Sequence, residues 1–181
     1  MRAADILEHE HETVLVVTKA ARREAEAIEE TGQVNTQRIG KFADFFLNFV
    51  DRCHHGKEEK HPFPMLEERG VPRGGGPVGV ILQEHELGRA EVRAIAEALT
   101  RLEQGDGGAA EAIKQHLLAY ADLLEAHIQK ENGILFPMGD RILTPDDQQS
   151  LVDAFDAVER EEMGEGTHEH YHQWIHEIVK E

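Results

Sequence analysis

The chain has 181 residues and a formal net charge of −17 with its histidines neutral, enough for one domain with a sizeable core and adverse to nucleic acid or an anionic membrane as partner. Cys53 is the only cysteine, which excludes an intrachain disulfide and suits a reducing compartment. No apolar run reaches membrane-spanning length, and residues 1–5 read as the opening of a helix rather than a signal peptide, so a cytoplasmic location with no membrane partner is expected.

Leu, Ala, Glu and Val are plentiful and alternating β-branched runs are absent, which predicts an all-α fold. The first helix is expected over 4–30, with a buried stripe of Leu7, His11, Val14, Thr18, Ala21, Ala25 and Ile28. The second is expected over 36–60, capped by Asn35 or Thr36 and broken by Pro62 and Pro64. Its stripe reads Ala43, Leu47, Val50, His54, Glu58. His55 and Glu59 stand one residue, about 100°, off that line and are read as facing away. The Gly/Pro-rich stretch 69–77 lacks the lysine-serine ending and the preceding strand of a phosphate loop, and reads as a connector.

The third helix is expected from Pro77 to about residue 104, with stripe Val78, Ile81, His85, Gly88, Val92, Ile95, Leu99, Leu102. The fourth is expected from Ala109 to Glu131 or a little beyond, with stripe Ile113, Leu117, Tyr120, Leu124, His127, Glu131. Short connections favour an up-down-up-down four-helix bundle over 1–141. Residues 142–181 are expected to form a two-helix extension packed on it. Thr144-Pro145-Asp146-Asp147 is a helix start, with stripe Leu151, Phe155, Val158, Glu162. A last helix over 167–179 carries His168, Tyr171, Ile175 and Ile178.

Each bundle helix thus places a histidine on its core line. His11 and His85 come early in their helices, His54 and His127 late, so alternation brings all four to one end. The chain also contains one stretch twice, 54–65 and 127–138. Aligned without a gap, the copies share His-x-x-x-Glu, a lysine before the glutamate, and Phe-Pro-Met. Residues four apart lie on one helix face, so His54 with Glu58, and His127 with Glu131, project together. Burying four imidazoles and two carboxylates unpartnered is very costly, and such mixed clusters are what metal sites are made of. Six ligands exceed one tetrahedral zinc. Two carboxylates that each span two metals, with imidazoles at the ends, suit a dinuclear iron or manganese centre. The order differs from the Glu-x-x-His of ferritin-like di-iron proteins and is richer in nitrogen.

The order His11, His54-x-x-x-Glu58, His85, His127-x-x-x-Glu131 resembles the hemerythrin-like family of HHE cation-binding proteins. The flanking Glu10-His11, Lys57-Glu58-Glu59 and Glu84-His85 and the Phe-Pro turns resemble it too. The resemblance covers about residues 5–140 and implies a four-helix bundle around a non-haem site of two iron ions, oxo- or hydroxo-bridged, with manganese or zinc as alternatives. It implies a small ligand as partner: O2, NO or hydrogen peroxide. The oxygen-carrying members have five histidines, two of them on the third helix. Here the positions four before and four after His85 hold Ile81 and Arg89. His168 in the tail is a candidate for the fifth histidine and Glu162 a weaker candidate ligand, although a lone inward histidine is more often a packing or capping group. The favoured function is O2 or NO binding or sensing. Turnover of peroxide, O2 or NO by an oxidoreductase, and iron storage or donation for iron–sulfur cluster repair, remain open, as does the oligomeric state.

Overall fold

The computed structural model describes residues 2–163 and 167–180, and among these every regular element is a helix. The first bundle helix, α1 (Ala3–Thr31), stops at Gly32, whose positive φ of 68° lets its N–H close back on the Ile28 carbonyl. Asn35 caps the next helix, its side-chain oxygen accepting from the Arg38 N–H at 3.1 Å.

The second bundle helix runs over the expected residues 36–60, but it is not uniform. It begins as α2 (Thr36–Phe45), continues as a π-helix over Phe46–His55, and returns to α-geometry in α3 (Gly56–Lys60). The i→i+5 bonding of the middle segment widens each turn and displaces the inward line from its α-helical course. Leu47, expected inside, is 40% exposed, while Phe45, Phe46, Phe49, Val50, Cys53, His54 and His55 are all buried. At His61 (φ −124°, ψ −74°) the helix breaks as expected. Pro62 then opens a further short helix, α4 (Pro62–Glu68), because a proline that ends one helix suits the first turn of the next.

After the connector, α5 (Pro77–Glu103) and α6 (Ala109–Lys130) form the other pair. Helices α1 and α5 both pack along α6, and α2 packs against α5. A π-turn over Glu131–Leu135 carries the chain from α6 into α7 (Phe136–Ile142). The tail forms α8 (Pro145–Val158), a π-turn over Glu159–Met163, and α9 (Thr167–Lys180). In α9 the buried residues include Tyr171, Trp174 and Ile178, with Trp174 taking the inward place expected of Ile175, which is half-buried. No helix among the described residues is long and apolar enough to cross a membrane.

Among the described residues, the buried apolar side chains gather in two clusters. The larger holds Val14, Phe46, Val50, Val92, Tyr120, Leu124 and Ile128, and α9 closes it through Tyr171 and Trp174 against Phe45. The smaller holds Leu7, Phe63, Leu66, Ile81, Leu135 and Phe136, covered by Leu151 and Phe155 of α8. On every bundle helix the chain passes from one cluster to the other through a histidine: Leu7–His11–Val14, Val50–His54–Phe63, Ile81–His85–Val92 and Leu124–His127–Leu135. A polar layer therefore lies between two apolar ones.

The start of α8 is tied down by a reciprocal cap. The Thr144 hydroxyl accepts from the Asp147 N–H at 3.2 Å, and the Asp147 carboxylate accepts from the Thr144 N–H at 2.9 Å and from Arg69 at 2.7 Å. Arg69 and the Thr144 N–H pull the Asp147 pKa down to about 2 from an ordinary 3.8. Thr144→Ala should cost about 1 kcal/mol in chemical denaturation. A depressed carboxylate lends stability above its unfolded value and loses it as pH falls through its folded one. The melting temperature of the unaltered protein should accordingly exceed that of Asp147→Asn at neutral pH, and the gap should close between about pH 4 and about pH 2.

Candidate metal centre

The six residues picked out by spacing and repetition all reach the polar layer. His11, His54, Glu58, His85, His127 and Glu131 are each no more than 2% exposed. A seventh joins them: His55 is 3% exposed, with its ring stacked on His85 at 3.8 Å between centroids and edge-on to His127 at 5.4 Å. The inference that His55 faces away is corrected by the π-helix, whose wider turn lets two successive residues point inward. The seven fall into two groups, His55, Glu58, His85, His127 and His11, His54, Glu58, Glu131, with the potential ligand atoms of each group within 4.8 Å of one another. Glu58 is common to both.

The duplicated stretch appears as a two-fold pattern of contacts. Glu58 lies between the histidine of its own stretch, His54 at 3.6 Å, and the lone His85 at 3.4 Å. Glu131 lies between His127 of its own stretch at 3.2 Å and the lone His11 at 3.1 Å. The outer partners repeat as well. His54 Nδ1 meets Glu10 at 2.7 Å and His127 Nδ1 meets Glu84 at 3.0 Å, and each glutamate also takes a lysine, Lys57 or Lys130. His85 Nδ1 meets Glu59 at 2.8 Å and His11 Nδ1 meets Asn132 Oδ1 at 2.7 Å, both one residue beyond the central carboxylates. Phe63 stacks against His85, and Phe136 against His11.

These partners decide where the imidazole protons sit. The atoms facing the four Nδ1 positions are oxygens that accept, so each Nδ1 carries a proton and each Nε2 is the nitrogen left to take a second proton or a metal ion. The four Nε2 atoms point into the layer with the carboxylate oxygens of Glu58 and Glu131. His11 Nε2 and His54 Nε2 stand 2.9 Å apart. Both oxygens of Glu58, both of Glu131, and Nε2 of His85 and of His127 are buried without a directed hydrogen bond. A buried layer this rich in acceptors needs positive charge, as protons or as metal ions, to be electrostatically complete.

Without a metal, protons compete for the same positions. Burial alone would depress His85, yet the neighbouring carboxylates of Glu58 and Glu59 outweigh it and raise its pKa to about 9. His11 and His127 are likewise buried and likewise raised, chiefly by Glu131. Burial favours a protonated Glu131, but His127 and His11 hold its pKa well below the ordinary carboxylate range. His55 goes the other way: burial, and repulsion from His85 and His127, push it well below its ordinary value, so it stays neutral with a lone pair to offer. Burial pushes the Cys53 thiol up to about 12, which leaves it a neutral packing group.

Besides the exchange of the Glu59 carboxylate for the Asn132 amide, the two halves differ in three places. His55 has Ile128 as its counterpart in the second stretch, so a fifth imidazole stands on one side only. Arg89 bonds Glu59 and Asp51 at 2.7 Å each beside His85, where the matching position after His11 holds Leu15. Lys57 is fully buried, whereas the Lys130 side chain is 41% exposed. His55 lies off the α-helical period, and its counterpart in the repeat, Ile128, is apolar, so neither pattern marks it. The adjacent histidines at 54 and 55 were the available signal. Glu162 and His168 lie on described helices, but their side chains fall outside the described part of the structure.

The difference between the lysines gives a prediction for the metal-free protein. Glu10→Ala leaves the buried Lys57 ammonium only Glu159 to pair with and should cost roughly 3 kcal/mol in chemical denaturation. Glu84→Ala leaves Lys130 in reach of water and should cost about 1 kcal/mol.

A family model described as Hemerythrin HHE cation binding domain matches residues 2–139, and so covers all seven residues of the layer. The chain is 22% identical over 163 residues to uncharacterised proteins of Mycobacterium tuberculosis and Mycobacterium bovis, covering 90% of this chain but 63% of theirs. It is 35% identical over 86 residues to the iron–sulfur cluster repair protein DnrN of Neisseria gonorrhoeae, covering 46% of this chain and 54% of that protein.

Proposed function

This chain belongs to the hemerythrin HHE cation-binding domain family, and from that premise we propose that its polar layer holds two metal ions which bind a small ligand such as O2 or NO. His55, Glu58, His85 and His127 would hold one ion, and His11, His54, Glu58 and Glu131 the other. The observation that carries this reading is the layer of inward lone pairs, with six buried acceptor atoms lacking any directed hydrogen bond. Mixed imidazole and carboxylate donors accept iron, manganese and zinc. Iron is favoured by the likeness to a protein named for iron–sulfur cluster repair. When bound, the ions supply Lewis acidity and, as iron, one-electron redox chemistry.

The surroundings suit a small apolar ligand. An apolar pocket of about 30 Å³ is lined by Leu7, Phe63, Leu66, Leu135, Phe136 and Leu151 among others. Phe63 and Phe136 stack against His85 and His11, so the pocket adjoins the polar layer. Four protein donors would leave an iron or manganese ion able to take an exogenous ligand, whereas a four-coordinate zinc would be closed. The outer glutamates orient the imidazoles and keep their lone pairs inward. A second reading, iron donation for cluster repair in the cytoplasm, rests on the likeness to the Neisseria protein alone.

Protein purified from iron-supplemented growth should contain about two irons per chain. Glu58→Ala, which removes the shared ligand, should lower this far more than His55→Ala, which should leave roughly half. Two irons retained in Glu58→Ala would defeat the assignment. Stopped-flow mixing of the reduced iron form with O2 or NO should give an adduct that reverses when the gas is removed. Loss of iron to an apo iron–sulfur protein, with no such adduct, would favour the second reading.

A further inference from the structure

Lys57 is fully buried, and a buried ammonium must be paired. One partner is Glu10, within the bundle. The other is Glu159, whose Oε1 accepts from Lys57 Nζ at 2.6 Å. Glu159 stands in the π-turn after α8, beyond the residues matched by the family model. One turn before it, Phe155 places its ring face toward the same ammonium, 5.9 Å from the ring centre. The tail thus grips Lys57 with a carboxylate and an aromatic face. Lys57 in turn holds Glu10, and Glu10 accepts the Nδ1 proton of His54 at 2.7 Å. The chain Glu159–Lys57–Glu10–His54 runs unbroken from a half-buried carboxylate to the polar layer.

The matching chain in the other half is shorter. His127 Nδ1 meets Glu84, and Glu84 takes Lys130, whose side chain is 41% exposed. The sequence of the two stretches would make the halves alike here, since both carry the lysine and both lone histidines follow a glutamate. The tail makes them unlike.

We infer that Glu159 is a positioning residue for the centre: through Lys57 and Glu10 it sets the orientation and donor strength of His54, and it distinguishes the His54 half from the His127 half. The inference rests on reading the polar layer as a metal centre. Its physical basis is charge compensation. With Glu159 ionised, the Lys57 charge is shared between two carboxylates, and Glu10 keeps electron density for the His54 proton. With Glu159 neutral, Lys57 draws wholly on Glu10. The bond to His54 weakens, His54 Nε2 becomes a poorer donor, and the hold on Lys57 loosens.

The test compares Glu159→Gln with Glu161→Gln, an exposed neighbour on the same turn. The first readout uses metal-free protein and the ring NMR signals of His54 and His127. Glu159→Gln should move the His54 Nδ1–H resonance and leave that of His127 in place, and Glu161→Gln should move neither. An unmoved His54 signal, or equal movement of both rings, overturns the inference. In a Lys57→Met background Glu159→Gln should have no further effect on His54, and a persisting effect also overturns it. This background keeps the question answerable where Glu159→Gln folds poorly, since the buried ammonium is gone. The second readout is Mössbauer spectroscopy of protein loaded with isotopically enriched iron. Glu159→Gln should shift one of two quadrupole doublets, with iron in that half lost to a chelator about tenfold faster. Two doublets shifted together would indicate a general loosening and overturn the inference. If the unaltered protein takes up no iron, the metal reading fails, while the metal-free NMR comparison still decides whether Glu159 acts on His54.

Discussion

Everything in this fold is arranged around a layer of lone pairs that face one another. Carboxylate and amide oxygens hold the protons of four imidazoles on the outer nitrogens, which leaves the inner nitrogens bare. Glu58 and Glu131 add four buried oxygens to the same space. Such a layer repels itself and cannot be satisfied by the groups that compose it. The two apolar clusters on either side are what keep it buried, leaving its seven side chains no more than 3% exposed. Protons or metal ions must supply the missing positive charge. The raised pKa values of His11, His85 and His127 are the mark of that demand in the metal-free chain.

Duplication explains why the layer is so regular. Each stretch brings a histidine and a carboxylate on one helix face, and each carboxylate bridges from its own histidine to the lone histidine of the other half. The halves therefore complete one another, and neither forms a centre alone. Departures from symmetry are few and lie where the helices differ. The π-helix brings in His55 on one side, and the tail closes over Lys57 on one side. Within the hemerythrin HHE family match, the added imidazole marks one group of donors as richer in nitrogen. The other group has two imidazoles and two carboxylates, the set richer in oxygen.

Much of this was legible from residue spacing, because α-helical periodicity and chain reversal are local rules. His11, His85 and His127 fall on stripes of ordinary α-helix, with Glu131 just past the end of one, and the structure buries them as those stripes require. The Thr144 cap was equally plain, and Asn35 was one of two adjacent candidates, since a cap needs only a short side chain near backbone N–H groups. His55 and Leu47 were misread for one shared reason: a π-segment changes the angle per residue, and nothing in the composition of 46–55 announces it. Lys57 was out of reach for another reason. A lysine on a helix is ordinarily solvated, and its burial depends on Glu159, a hundred residues away in sequence, meeting it in space. The second apolar cluster was likewise hidden, because Phe63, Phe136 and Phe155 belong to segments that only tertiary packing brings together.

The central claim is that the layer accommodates two ions that share a carboxylate. Anomalous diffraction at the iron edge from crystals of the iron-loaded protein tests it most directly. Two peaks separated by roughly 3.5–4 Å, with Glu58 between them, are predicted. A single peak, or metal found outside the layer while the seven residues keep to themselves, would contradict it.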